Sequence, residues 1–412
     1  MSIARAAGAR IRGIGPRALV IGGSLGGLLS ANLLLRAGWD VEVFEQSSEE
    51  LTGRGAGIIS HPELFQALQR IGIPLDDSYG VDVPVRATHD RSGATIATLA
   101  VRQIFTTWGR LHQLLREAFP AERYHFGASF VRLAQDDRGV SAHFASGETA
   151  QGDLLVGADG VRSSVRAQLA AAARPHYAGY VGWRGLAEEA ALTPAVHREL
   201  IDKFIFCLPP REMMLCYPVA GFTNSTRPGE RCLNFVWYRP ADEAHGLPQL
   251  CTDVNGRRHD MSIPPPLIRP EVTARIKAEA RQLLAPQIAA VVERTEQLFF
   301  QAIFDIETPR IALGRVVLLG DAAFVARPHF GMGVTKGAGD AMALADSLRE
   351  SRGDVPAALA RYEARRLRFN AAVVAHGREL GAWLEGLDTP EARRHHSPAA
   401  VMAEIAVTRD YA

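Results

Sequence analysis

The sequence predicts an α/β protein: a discontinuous Rossmann-like dinucleotide-binding domain, an inserted domain of mainly antiparallel β-sheet, and C-terminal helices. Three segments carry that expectation: Gly22-Gly23-Ser24-Leu25-Gly26-Gly27 after an apolar run, Gly157-Ala158-Asp159-Gly160 after Leu154-Leu155-Val156, and Gly320-Asp321-Ala322-Ala323 after Arg315-Val316-Val317-Leu318-Leu319. Each is a buried-strand signature closing on a glycine turn, and such turns form the ligand crevice at the carboxyl ends of a parallel sheet.

Ala18-Leu19-Val20-Ile21 reads as the first strand, and 25–36 carries helical spacing. In a strand–turn–helix, Gly22 permits the tight turn, Gly27 permits close helix–strand packing, and the free N–H groups at the helix start face a pyrophosphate. Ser24 stands where the strict pattern has a second glycine. Serine is small and its hydroxyl can donate to a phosphate oxygen, so the site reads as modified rather than lost. Val41-Glu42-Val43-Phe44-Glu45 supplies the next strand. Glu45, eighteen residues after Gly27, lies where a carboxylate accepts bonds from ribose hydroxyls; Leu25 and Gln46 flank these positions and join the candidate set. A lone glycine run is as often an ordinary loop, but strand, helix and acid in register make that the weaker reading.

In the second segment the Asp159-Gly160 turn places a carboxylate at a strand end. In the third, Asp321 follows a strand directly, and a long helical pattern runs from 331–333 through Lys336, Ala341 and Leu348. Gly109-Arg110-Leu111-His112 opens an amphipathic helix on which Arg110 alone would read as a solvated charge. Between the second and third segments, 203–208, 212–219 and 231–239 alternate as strands of an antiparallel sheet, which can keep one face for a ligand. Tyr217, Trp237 and Trp183 are candidates there for an aromatic wall, each weighed against simple core packing. The patterns at 271–284 and 356–387 are helical. The latter is arginine-rich, reading as a solvated face with a homodimer contact as the alternative.

The 412 residues, 47% apolar with a net charge of +1, suit a globular chain with ample core and no polyanionic partner, so nucleic acid is disfavoured. No run approaches a membrane span. Cys207, Cys216, Cys232 and Cys251 contain no Cys-x-x-Cys pair, and no metal-ligand constellation appears. Reduced thiols in the cytoplasm are expected. The arginine-bearing start lacks an apolar signal core and reads as a disordered tail over 1–15.

Together these segments resemble the class A flavoprotein aromatic hydroxylases, the p-hydroxybenzoate hydroxylase-like group, over most of 16–370. Within that family the Gly-Gly-Ser start, Tyr177-Ala178-Gly179-Tyr180-Val181-Gly182-Trp183-Arg184-Gly185, Leu233-Asn234-Phe235-Val236-Trp237-Tyr238 and Arg327-Pro328-His329 are similar to the dihydroxypyridine hydroxylases. The resemblance implies FAD as cofactor, NADH or NADPH and O2 as co-substrates, and oxygen transfer from a flavin C4a-hydroperoxide to an electron-rich aromatic or N-heteroaromatic ring. It implies FAD-binding parts at 16–176 and 299–355, a substrate-binding domain at 177–298 and a helical segment at 356–412. Asp321 would bond a ribityl or ribose hydroxyl, and the N–H groups of Gly331, Met332, Gly333, Val334 and Thr335 would face the flavin pyrimidine, where a helix start stabilises the anionic reduced ring. Ser60 would run beside the isoalloxazine, with His61 capping the next helix. Pro328 would approach the oxygen-transferring edge, with Tyr217 and His329 as its catalytic companions, the alternative for His329 being a histidine packed between loop and helix.

Two departures stand out. Phe324 occupies a position where a histidine is common in the family, so no role of that histidine is carried over. The stretch Gly331-Met332-Gly333-Val334 is bulkier than the alanine-rich one of the dihydroxypyridine subgroup, which bears on pocket shape. A phenolic or purine-like ring is therefore the alternative substrate, and a non-catalytic flavin-binding sensor the alternative class.

Overall fold

The computed structural model describes residues 15–51, 57–394 and 397–407. The expected tail lies outside the described residues apart from Gly15. Arg17–Ile21, Asp40–Phe44, Leu154–Gly157 and Val316–Leu318 form the parallel part of a six-stranded sheet. Their register puts Ile21 beside both Phe44 and Gly157, and Gly157 beside Leu318. The four strands thus end in one row, and the three glycine turns of the sequence emerge side by side. Tyr124–His125 extends the sheet in parallel, while Ala312–Leu313 closes the other edge antiparallel. Helix Leu25–Arg36 is apolar nearly all round because it is buried between this sheet and other helices.

An eight-stranded sheet runs in the order Phe299–Asp305, His176–Glu188, Cys232–Pro240, Met213–Val219, Lys203–Cys207, Val81–His89, Thr95–Thr107, Gly57–Ser60. All its pairings are antiparallel except Lys203–Cys207 with Val81–His89. This differs from the expected boundaries: three strands come from 16–176, and Phe299–Asp305 lies beyond 298. Side chains alternate across it. Met214, Cys216, Phe235, Trp237, Val181 and Trp183 pack into one core together with helices Pro270–Leu283 and Pro286–Arg294. The opposite face carries Tyr180, Arg184, Leu215, Tyr217, Val236 and Tyr238. A three-stranded sheet, Phe130–Gln135, Val140–Phe144 and Thr149–Gly152, completes the β-structure.

Helix Gly333–Glu350 packs on Leu25–Arg36 and leads to Val355–Glu385, which Asp354 caps by accepting the Ala357 N–H at 3.1 Å and Gly386 ends at φ +78°. Its expected solvated arginine face turns partly inward: Arg366 reaches Asp340 and Arg378 reaches Asp305. Arg86, fully buried, donates to the carbonyls of Met402, Ile405 and Ala406 and so ties the chain end to the large sheet. Among the described residues, no helix is long and apolar enough to cross a membrane, and no cluster of three metal-ligating side chains occurs.

Candidate active site

A cavity of about 1520 Å3 lies between the carboxyl edge of the parallel sheet and the free face of the eight-stranded sheet. Single small-ligand pockets measure roughly 300–1,000 Å3, so this one has room for a dinucleotide and a second small molecule.

At the edge of the parallel sheet beside it, Gly22 adopts φ +101°, and a Cβ there would come within 2.5 Å of the Ala158 carbonyl oxygen. A Cβ at Gly27 would overlap the Gly22 carbonyl oxygen. Both glycines are thus demanded by the turn. Ser24 is the N-cap of Leu25–Arg36 but makes no side-chain capping bond, which leaves its hydroxyl for an anion at the helix start. The Leu25 side chain is core, so only its backbone faces the turn. Glu45 is buried and accepts the N–H groups of Gly23 and Ser47, each at 2.8 Å. A carboxylate has about four acceptor positions, so capacity for ribose hydroxyls remains. Gln46 is exposed and not part of the cavity wall. His112, on helix Trp108–Glu117, lines the cavity and holds the Gly23 carbonyl at 3.2 Å, joining turn and cavity. Ser24→Gly should retain FAD within about a hundredfold of the wild-type affinity, because at most one hydrogen bond to a charged phosphate, about 1.5–3 kcal/mol, is removed; equilibrium titration with FAD checks this, and a colourless variant would make the hydroxyl an indispensable phosphate ligand.

Asp159 departs from its expected role as a cofactor ligand. Its carboxylate accepts from Ser163 Oγ at 2.5 Å and from the N–H groups of Ser164 and Val165, capping the short helix Ser164–Leu169. Burial nonetheless raises its pKa above the usual range. The neighbours that face the cavity are Val161 and Arg162. Arg166, not foreseen, is buried and donates to the carbonyls of Val161 and Ala322, fastening the second segment to the third. Asp321 is cavity-facing, exposed to that space though enclosed by the fold, and desolvation pushes its carboxyl up.

The loop bearing Asp321 is held from beneath. Lys336 and Asp340, both buried, clamp the two polar groups of Gly320: Lys336 Nζ donates to its carbonyl at 2.9 Å, and Asp340 accepts its N–H at 3.0 Å. Arg366 and Asn370 complete the network on Asp340, at 2.7 and 3.0 Å. No linear motif announces these four residues.

Helix Gly333–Glu350 begins one residue after Met332. Gly333, Val334 and Thr335 occupy its first turn, where N–H groups have no intrahelical acceptor; Gly331, Gly333 and Val334 line the cavity. Met332 is buried instead, and the N–H of Gly331 is already bonded to Pro328 O, so the expected five-residue donor row shrinks to the helix start. Thr335 Oγ1 is buried with no hydrogen-bond partner among the described residues. Unspent N–H groups at a helix terminus, an orphaned hydroxyl and glycines where a ring must approach are the features a flavin would satisfy, so the residues present fit FAD.

Facing this helix, the sheet presents Tyr217 and Tyr238, buried and cavity-lining. Burial raises the pKa of both phenols, Tyr238 to about 12, so each hydroxyl keeps its proton and donates. Tyr217 packs on Phe105 at 4.3 Å between ring centroids and leaves room only for a glycine at position 57. Trp183 and Trp237 are corrections: strand alternation turns both to the opposite core, and Arg184 and Tyr238, one residue further on, take the cavity face. Pro328 and His329 lie in the wall. His329 is buried, with Nε2 2.9 Å from the Tyr180 hydroxyl. Desolvation raises the Tyr180 pKa, and the adjacent Arg327 guanidinium has only donors, so the Tyr180 proton points to Nε2. Arg327 is in turn paired with Asp305 and Glu385. A Cβ at Gly381 would come within 2.7 Å of the Tyr180 hydroxyl, so helix Val355–Glu385 seats directly on this group.

Two expected ligands stand apart from the cavity wall. Ser60 bonds the Tyr79 hydroxyl at 2.8 Å, and Arg110 reaches back to Ser78. His61 sits at the N-cap of Pro62–Ile71 without a side-chain capping bond, its pKa lowered by burial to about 4.

Comparison with known proteins matches these features. The FAD binding domain-like family matches residues 177–305. The chain is 32% identical to 2,6-dihydroxypyridine 3-monooxygenase of Paenarthrobacter nicotinovorans, over 90% of this chain and 91% of that one. It is 29% identical to 6-hydroxynicotinate 3-monooxygenase of Pseudomonas fluorescens, over 85% and 87%. The solved 2,6-dihydroxypyridine-3-hydroxylase from Arthrobacter nicotinovorans superimposes with a TM-score of 0.84 at 31% identity, covering 92% of this chain and 96% of that one. Klebsiella pneumoniae HpxO with FAD and uric acid shares the fold, with a TM-score of 0.76 at 24% identity over 94% and 93%. With the three glycine turns side by side at the sheet edge, the Asp321 loop and the helix start lining one cavity, and that identity spanning nine-tenths of both chains, the protein belongs to the class A FAD-dependent aromatic hydroxylases.

Proposed function

We propose that the protein inserts one atom of O2 into a hydroxylated N-heteroaromatic ring of the pyridine type, the second oxygen atom leaving as water with two electrons from NADH or NADPH. The single observation behind this reading is the continuity of the cavity: the helix start at Gly333 and the Pro328–His329 turn face a wall of Tyr217, Tyr238 and Arg184 across one space. Bound FAD supplies the activation of O2. The chain's own residues do the rest. Glu45 and Asp321 are placed to accept from cofactor hydroxyls, the Tyr217 and Tyr238 hydroxyls donate to ring substituents, and Leu215 and Val236 exclude water from the space between.

The near-neutral net charge and four buried free cysteines support a cytoplasmic enzyme without nucleic-acid or membrane partners.

The test is turnover under 18O2 with NADH and NADPH against hydroxylated pyridines, hydroxynicotinates, phenols and urate. The expected result is a product one 18O atom heavier from the pyridine or hydroxynicotinate group. Labelled product from phenols or urate alone would move the assignment to that ring class. Nicotinamide oxidation that no ring stimulates, with no labelled product, would remove the hydroxylase reading in favour of a flavin-binding sensor.

A further inference from the structure

Arg86 stands outside the cavity wall, yet its guanidinium is fully engaged. The residue is completely buried in strand Val81–His89. Nε and Nη2 donate to Gln103 Oε1 at 3.1 and 2.7 Å, Nη1 to the carbonyls of Met402 and Ile405, the latter at 2.7 Å, and Nη2 to that of Ala406 at 3.1 Å. These bonds take up every N–H of the fork. The acceptors are carbonyls and an amide oxygen rather than a carboxylate, and the carbonyls lie at the negative end of helix Pro398–Glu404. Burial lowers the pKa of Arg86 only to about 10, so the charge persists at neutral pH. Keeping an ion inside the fold is costly, and what it holds is the last described turn of the chain.

That turn lies against the flavin site. Ala406 is buried and left-handed at φ +56°, a conformation that a non-glycine residue keeps only where its surroundings impose it. Gln103 Nε2 adds a second donor to its carbonyl, at 3.0 Å. On the other side Ala406 meets Gly331: a Cβ at Gly331 would stand 3.2 Å from the Ala406 Cβ and 3.5 Å from Ile59 Cδ1. Gly331 is itself left-handed at φ +73°, lines the cavity, and joins the Pro328–His329 turn to the helix start at Gly333. His61 bonds the Gly331 backbone, its imidazole kept neutral by burial and by the charge of Arg86. Arg86 and Gln103 thus hold Ala406, and Ala406 backs the residue on which the cofactor end of the cavity turns.

We propose that Arg86 is a positioning residue for the flavin: by locking Ile405 and Ala406 behind Gly331, it sets the turn between Pro328 and Gly333 against which the flavin ring lies. A ring pressing from the cavity side would displace this turn if nothing stood behind it. The role requires bound FAD and no particular ring substrate, so it stands apart from the choice of ring in the 18O2 experiment.

The test compares FAD-loaded wild type with Arg86→Met, Arg86→Lys and Ala406→Leu, without any ring substrate. Release of FAD on dilution is read by the recovery of flavin fluorescence, and the setting of the ring by the flavin absorbance spectrum. Arg86→Met should raise the dissociation constant for FAD about tenfold, the scale of one misdirected hydrogen bond to the cofactor, and shift the absorbance bands. Arg86→Lys, a point charge with three donors in place of the fork, should recover part of both. Ala406→Leu keeps Arg86 but puts bulk against Gly331, and should shift the same bands. Should Arg86→Met fail to fold, Gln103→Leu is read in its place, with an expected loss of about two- to fivefold, because one donor to Ala406 remains. The inference falls if these variants lower only the unfolding temperature while FAD affinity and spectrum stay as in wild type, which would make Arg86 a tie for the chain end alone. It falls equally if Ala406→Leu leaves the flavin spectrum unchanged. Failure of the hydroxylase reading looks different: the shifts would persist in a flavoprotein that hydroxylates no ring.

Discussion

Asp340→Ala is expected to lower the unfolding free energy of the holoenzyme by about 3–5 kcal/mol, the cost of removing one partner from a buried ion-pair network. The carboxylate is fully buried and accepts from Gly320 N, Arg366 Nε and Asn370 Nδ2, with Lys336 Nζ at 3.5 Å. Without it, the buried Lys336 ammonium keeps only the Gly320 carbonyl. Arg366, more open to solvent, is partly rehydrated. Burial alone would raise the Asp340 pKa, but Lys336, Arg366 and Asn370 together hold it below the usual carboxylate range. A group whose folded pKa is depressed contributes stability above its unfolded pKa and loses that contribution as pH falls through the folded value. The difference between wild type and Asp340→Asn should therefore be full at neutral pH and shrink in acid. Urea unfolding at pH 7 and in acid reads both quantities. Because Asp340 also holds the N–H of Gly320, FAD should dissociate more readily from the Ala variant. A loss below about 1 kcal/mol at pH 7, or a difference that grows in acid, would mean the network carries little of the fold.

The parts of this protein visible in its sequence are those written in contiguous residues. An apolar run ending at glycine, followed by helical spacing, locates Arg17–Ile21 with Leu25–Arg36, and the same grammar locates Leu154–Gly157 and Val316–Leu318. Strands at 203–208, 212–219 and 231–239 also emerge within a residue or two of their observed ends. Pairing between distant segments is another matter. Val81–His89 joins Lys203–Cys207 in parallel, and nothing in either segment names the other, so the part of 16–176 that completes the large sheet was expected within the FAD-binding part. Which face of a strand meets the cavity is equally silent. Alternation makes Trp237 and Tyr238 opposites, but only the sheet's neighbours decide that the tyrosine faces inward. Lys336 and Asp340, four apart on a helix, have the spacing of a surface ion pair; their burial follows from the packing of Gly333–Glu350 against its neighbours. Asp159, Ser60 and Arg110 show the converse, residues in suggestive positions whose polar atoms are taken up by a helix cap, a tyrosine and a serine.

His329→Ala is expected to leave FAD bound and to uncouple the reaction, so that NAD(P)H and O2 are consumed and hydrogen peroxide appears while the yield of hydroxylated ring per nicotinamide falls by about 10²–10⁴-fold. That is the range general acid–base assistance supplies, and holding reacting atoms in near-attack geometry adds to it. His329 is in the wall beside Pro328 and its Nε2 is taken up by the Tyr180 hydroxyl, so cofactor affinity should survive its removal. Its imidazole is clamped: the Tyr180 hydroxyl holds Nε2, the Tyr238 ring lies edge-on at 5.5 Å, and Arg327 behind Tyr180 is fixed by Asp305 and Glu385. Truncation opens a void between two tyrosines at the point where the ring must be held dry, and water entering there lets oxygen leave as peroxide before it reaches carbon. Tyr180→Phe separates the two roles. If the imidazole acts through a fixed orientation, losing only the clamp should give partial uncoupling and a shifted pH profile, intermediate between wild type and His329→Ala. Peroxide yield, oxygen uptake and product mass from the same reaction make the measurement. Wild-type coupling in His329→Ala would make the residue packing alone, and loss of FAD from it would assign the imidazole to the cofactor scaffold rather than to the ring being hydroxylated.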